Sequence, residues 1–157
     1  MVLGATTRIE LDDLKFLPGD GELIEKALEK APAIEVLSFS GAEGMDESHF
    51  APIVRGLQNI SLKELTLSAV EMNDEFGALL GNALYLRLAP QLHYLDLDSN
   101  WLGRQSADAL ARAMRSGMLL ELKTLRLGEC VTSHRKQGRQ RAPCATNDPC
   151  SIACLPQ

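Results

Sequence analysis

The sequence predicts an α/β fold assembled from short strand–helix units laid side by side, and three observations carry that prediction. Strand-like openings recur at Thr6, Ile34, Leu62, Leu92 and Leu122, spaced 28, 28, 30 and 30 residues apart. Each opening carries an apolar triplet at one spacing: Thr6/Ile9/Leu11, Ile34/Leu37/Phe39, Leu62/Leu65/Leu67, Leu92/Leu95/Leu97 and Leu122/Leu125/Leu127. Within the clearest unit, Leu92 to Met114, the hydrophobic period changes from two to roughly 3.6, so a short strand gives way to an amphipathic helix. The expected architecture is a repeat solenoid, with a short parallel sheet on its concave side and helices on its convex side. It has four full strand–helix repeats and a fifth strand.

The helices follow in order. The first is expected over about residues 21–30, with Leu23, Ile24, Ala27 and Leu28 turned inward; Pro32 closes it because proline cannot continue the hydrogen-bond ladder. The second covers about residues 48–58 on Phe50, Ile53, Val54 and Leu57, with Pro52 in its first turns, where a missing donor costs little. The third begins near Asn73, an N-cap followed by Asp74 and Glu75, and ends before Pro90. The fourth runs from Arg104 to Ser116, with Leu110 and Met114 on its apolar stripe and Gly117 as its stop.

The fifth unit breaks off. After Leu127 the chain reads GECVTSHRKQGRQRAPCATNDPCSIACLPQ, without an apolar period at helical spacing. Residues 1–130 are therefore read as the solenoid and 131–157 as a disordered, basic, cysteine-containing tail. A solenoid needs polar caps at both ends, and neither end carries one, which suggests a fragment or alternative ending of a longer repeat protein.

The run Leu92-x-x-Leu95-x-Leu97-x-x-Asn100, followed by Leu102-Gly103, resembles a leucine-rich repeat of the long, helix-bearing, ribonuclease-inhibitor-like type. The likeness covers about residues 6–130. In that family the ninth repeat position is usually Asn or Cys, whose side chain satisfies backbone groups of the turn. Here it holds Leu14, Ala42, Val70, Asn100 and Cys130, so Asn100 is expected to turn inward and repeat regularity to degrade toward the N-terminus.

The chain has 157 residues and a formal net charge of -5. Up to Cys130 there are 12 Lys/Arg against 20 Asp/Glu; beyond it, four against Asp148 alone. An acidic body with a basic tail disfavours direct phosphate binding and suits a basic partner. With no signal-peptide pattern and no apolar run of membrane-span length, a cytoplasmic protein is expected.

Residues between the core positions of each strand should face the concave side, where proteins of this repeat type usually hold partners. They include Arg8, Glu10, Asp12 and Asp13; Val36, Ser38, Ser40 and Gly41; Glu64, Thr66, Ser68 and Ala69; Tyr94, Asp96, Asp98 and Ser99; and Thr124, Arg126, Gly128 and Glu129. Seven carboxylates stand there against Arg8 and Arg126. Tyr94 and an exposed Trp101 beside Asp96 and Asp98 supply the ring-plus-charge mixture of binding hot spots. The candidate contact residues are Glu10, Asp12, Glu64, Tyr94, Asp96, Asp98, Trp101 and Arg126; the plainer reading is a solvated acidic face with Trp101 packed beneath its own turn.

Other constellations are weak. Cys144, Cys150 and Cys154, with Cys130 and His134 upstream, lack the close Cys-x2-Cys pair of a structural zinc site. Cys154-Leu155-Pro156-Gln157 superficially matches a prenylation box, but Pro156 stands where an aliphatic residue belongs, so membrane attachment is not expected. The run Arg135, Lys136, Arg139, Arg141 has no aromatics for base stacking, and no nucleic acid is expected. His49, His93 and His134 are scattered, and no Gly-rich phosphate loop precedes a helix, so neither an enzyme nor a cofactor is expected.

The leading expectation is thus a module that binds a basic protein partner on an acidic concave face, without covalent chemistry or a small-molecule substrate. Repeat regions of NOD-like immune receptors share the repeat type, so a fragment of an innate-immune sensor is one version of it. The alternative is an activator of a small GTPase, because Ran GTPase-activating proteins resemble this repeat type; Arg104 or Arg126 would then act in trans. A truncated product without independent function is the third.

Overall fold

A computed structural model describes residues 6–128. Five strands, β1 (Arg8–Glu10), β2 (Val36–Ser38), β3 (Glu64–Thr66), β4 (Tyr94–Asp96) and β5 (Thr124–Arg126), form one parallel sheet in chain order. They alternate with helices α1 (Asp20–Glu29), α2 (Glu47–Gly56), α3 (Asp74–Tyr85) and α4 (Arg104–Arg115). The register carries Arg8 to Val36, Glu64, Tyr94 and Thr124 in turn, which reproduces the 28- and 30-residue spacing of the sequence. This repeat-like α/β architecture is compatible with a solenoid.

The core lies between sheet and helices. The three inner apolar triplets are buried, whereas Ile9, Leu11, Leu125 and Leu127 of the outer strands are only partly covered. Helices pack closely through small residues. A Cβ on Gly81 of α3 would stand 2.7 Å from the Ala109 Cβ and 2.9 Å from its carbonyl carbon, so α3 and α4 approach at a distance only glycine permits.

The turns after the strands do not degrade toward the N-terminus. Asp13, Gly41, Ala69 and Ser99, at the same place after each strand, all adopt φ between 54° and 69°. Their amides continue the ladder past the strands: Asp13 to Ser40 O, Gly41 to Ser68 O, Ala69 to Asp98 O and Ser99 to Gly128 O, at 2.8 to 3.0 Å. Main-chain rungs supply what the missing asparagines do not. Between the first two turns, Glu43 N to Leu14 O and Phe16 N to Glu43 O add further rungs, both 2.9 Å.

Asn100 turns inward as its position requires. Its Oδ1 accepts from Val70 N and Met72 N, and its Nδ2 donates to the carbonyls of Leu67, Leu97 and Asp98. One fully buried side chain thereby ties the third turn to the fourth.

Two helix details differ from expectation, in α2 and α1, and a third, the end of α3, follows it. Pro52 falls in the middle of α2, so the Ser48 carbonyl loses its in-helix donor; Gly21 lies against that carbonyl, where a Cβ would come within 2.7 Å. The third helix ends at Tyr85, before Pro90 as expected; Arg87 takes a left-handed turn (φ 61°), and Leu88 N and Arg87 N close on Ala83 O and Leu84 O. Of the four residues expected inward on α1, only Leu28 is buried; Leu23 is 63% exposed, and Ile24 and Ala27 line the same open flank.

Gly103 at the start of α4 has no side chain to cap with, and Asp74 of α3 does the capping across the helix pair. Its Oδ1 accepts from Gly103 N, Ser106 N and Ser106 Oγ, and its Oδ2 from Gln105 N. Burial pushes the Asp74 carboxyl up, but the Ser106 hydroxyl and the three amides outweigh it and hold the group below the usual aspartate range.

Two stability predictions follow from these cross-links. Asn100→Ala leaves buried amides and carbonyls of two turns without partners and should cost about 3 kcal/mol in urea denaturation. Asp74→Asn should cost about 1–2 kcal/mol at neutral pH. A lowered folded pKa stabilises above the unfolded value and loses that contribution as pH falls through the folded one, so the gap between wild type and Asp74→Asn should narrow below about pH 4.

Candidate functional site

The alternation that buries Ile9, Leu37, Leu65, Leu95 and Leu125 among the helices puts their neighbours on the opposite, helix-free face of the sheet. Arg8, Glu10, Val36, Ser38, Glu64, Thr66, Tyr94, Asp96, Thr124 and Arg126 therefore share one surface, continued into the turns by Asp12, Asp13 and Asp98. Among the described residues this face has six carboxylates against two arginines; Glu129, expected with them, lies outside the described residues.

Four of the predicted contact residues meet at its β4–β5 end. Arg126 reaches Asp96 Oδ2 at 3.2 Å and Asp98 Oδ2 at 2.6 Å, and the Tyr94 hydroxyl donates to Asp96 Oδ2 at 3.1 Å. The hydrogen bond with Tyr94 and the charges of Asp96 and Asp98 together hold the guanidinium above its usual pKa. Asp96 is 5% exposed, with its Oδ1 accepting from Asp98 N, so it is a buried positioning group within the cluster. Sequence alternation put Asp96 on the open face, yet the flanking Tyr94 and Arg126 cover it.

The remaining carboxylates are spread along the face. Glu10 pairs with Arg8, whose Nε lies 2.6 Å from its Oε1. Asp12 accepts from Ser38 Oγ and Ser40 N, a cross-strand contact without a cation. Glu64 lies 3.5 Å from His93, next to Tyr94 in the register. Trp101 sits in the turn after β4 with half its surface exposed (52%), its amide bonded to Met72 O; it does not pack beneath its own turn.

Buried His49 is the residue that sequence reasoning passed over. Its Nδ1 lies 2.8 Å from Asp46 Oδ1 and its Nε2 2.9 Å from Leu17 O, so it joins the start of α2 to the loop before α1. The capping spacing Asp46-x-x-His49 was the available signal. Of the two arginines considered for action in trans, Arg126 is engaged by carboxylates, and Arg104 is 93% exposed at the start of α4, 3.5 Å from Asp108.

Among the described residues no group of three His, Cys, Asp or Glu is placed to hold a metal ion, and no helix is long and apolar enough to cross a membrane. The cysteine set of the tail, the Cys154 ending and the basic run from Arg135 to Arg141 lie outside the described residues. No known protein-family profile and no curated protein matches this chain.

Because Arg126 pairs with both Asp96 and Asp98, the cluster's charge depends on it. Arg126→Ala should raise retention on a positively charged anion-exchange surface by making this end of the face more negative, and a lysine-rich peptide should bind the variant at least threefold more tightly at low salt, with the gain disappearing at about 0.5 M salt.

Proposed function

We propose that this chain is a leucine-rich-repeat solenoid of the ribonuclease-inhibitor-like type that works as a protein–protein interaction module, holding a basic partner on the helix-free face of its sheet. The repeat reading is supported by the in-register spacing of five strands, by a left-handed residue at the same place in each of four turns, and by Asn100 at its inward position. The binding reading rests chiefly on one observation. A sheet face with an excess of carboxylates carries half-buried Tyr94 on β4, and exposed Trp101 stands in the turn that follows the same strand.

Charge on such a face steers a cationic partner into register, and a fixed ring supplies the apolar contact that holds it. Arg126 limits where the partner's cations sit: they meet Glu64, Asp12 and Asp13 first, because Asp96 and Asp98 are already paired. The mechanism is shape and charge complementarity, with no bond made or broken.

The test is capture of a partner from a cytoplasmic extract, followed by titration of that partner against Glu64→Lys and Trp101→Ala, both at exposed or half-exposed positions. Each variant should weaken binding about tenfold or more, and the Glu64→Lys effect should shrink with added salt. Unchanged affinity in both would move the contact surface elsewhere. A GTPase-activating role is the second reading and stands on exposed Arg104. Single-turnover GTP hydrolysis accelerated by the wild-type chain and not by Arg104→Ala would establish it.

A further inference from the structure

The open flank of β1 and α1 is the largest departure from a finished core. Ile9, Leu11, Leu23, Ile24 and Ala27 line a groove of about 270 Å³ there, and Leu23 is 63% exposed. The strand beside the groove is the edge of the sheet: among the described residues β1 pairs with β2 alone. In β2, Val36 N donates to Thr7 O and Ser38 O accepts from Leu11 N, so Val36 and Ser38 aim their main-chain groups at β1. By the same alternation Arg8 and Glu10 aim theirs at the free edge. An edge strand with open rungs beside an apolar groove is a template for another strand.

The sequence of β1 specifies which strand. Read in both directions around Ile9, Arg8-Ile9-Glu10 is self-complementary in charge. Laid antiparallel on itself, it sets Arg8 opposite Glu10 of the second copy and Glu10 opposite Arg8, the two residues whose amides and carbonyls face the edge. Both become hydrogen-bonded pairs, and Ile9 meets Ile9 at the dyad as the closer, non-bonded pair. Ile9 points to the groove side, where Leu23, Ile24 and Ala27 of the two α1 helices would cover one another. A surface that complements itself under a two-fold axis forms a closed, isologous contact.

We propose that this face is the dimerisation surface of the chain: two copies join β1 to β1 antiparallel about Ile9, each burying the groove of the other. The inference goes beyond the partner-binding reading and does not depend on it: the contact is made by the main-chain edge of β1 and the α1 groove, and of the open face only the Arg8 and Glu10 side chains take part.

Charge substitutions test the register directly. Arg8 and Glu10 are about half exposed, so changing them leaves the core intact, which circular dichroism checks. In sedimentation equilibrium the full chain should be dimeric at tens of micromolar. Arg8→Glu alone sets glutamates against glutamates, and Glu10→Arg alone sets arginines against arginines; each should be monomeric. An equimolar mixture of the two variants should dimerise, and so should the double variant, because both restore Arg opposite Glu. Leu23→Lys should be monomeric in every background.

Three results would overturn the proposal. A wild-type chain that stays monomeric to several hundred micromolar shows that no second copy covers the groove, the outcome also expected where residues 1–5 cover it. Open-ended oligomers point to β5 of one copy pairing with β1 of the next; there Glu10 faces Arg126 and the double variant fails to associate. Single variants that dimerise like wild type remove the charge register.

Discussion

The path of the main chain through the turn after each strand is the constraint on which this structure depends. A strand of three residues offers too few rungs to hold a sheet, and the ladder survives because it runs on into the turn. For that to happen one residue per turn must enter the left-handed region, at Asp13, Gly41, Ala69 and Ser99. A left-handed conformation costs a non-glycine residue roughly 1 kcal/mol, and the rung made by its own amide offsets that cost. Since every turn takes the same path at that residue, the strands stay in register and the helices are delivered to one side of the sheet.

Much of this was legible in the sequence because it is written in period. The apolar triplets give both strand position and register, since a one-residue slip would move Leu37, Leu65 and Leu95 out of the core. The turns were harder to read. The side chain at the ninth position is the visible signal, and its loss at Leu14, Ala42 and Val70 suggested irregularity. The bonds that replace it are between main-chain groups, which no side-chain pattern records. Likewise, the end of α3 at Tyr85 is followed by a left-handed arginine, Arg87, where glycine is the usual mark.

The candidate site was legible in membership and misread in accessibility. Alternation correctly brings Tyr94, Asp96 and Arg126 to one face, and the register makes Asp96 the neighbour of Arg126. What a linear pattern cannot give is that a tyrosine and an arginine, flanking a short carboxylate, close over it. Asp96 thereby passes from surface charge to buried anchor, while Glu64 and Trp101, less distinctive in sequence, keep the contact with solvent.

The open face and the β1 edge bear on each other through geometry. Strands lie about 4.8 Å apart, so β1-to-β1 pairing makes one ten-stranded sheet in which the two β4 strands stand seven spacings, or about 34 Å, apart along the sheet. The two Tyr94–Trp101 pairs would then lie near opposite ends of the combined surface, one strand in from each edge, with the dyad between them. A small monovalent partner would bind each end separately and gain nothing from dimerisation. A partner presenting two basic patches on a span of that order would bind its second patch intramolecularly, at an effective concentration set by that span. The edge pairing would therefore select partners by length, a property neither the acidic face nor its aromatic anchors provide alone.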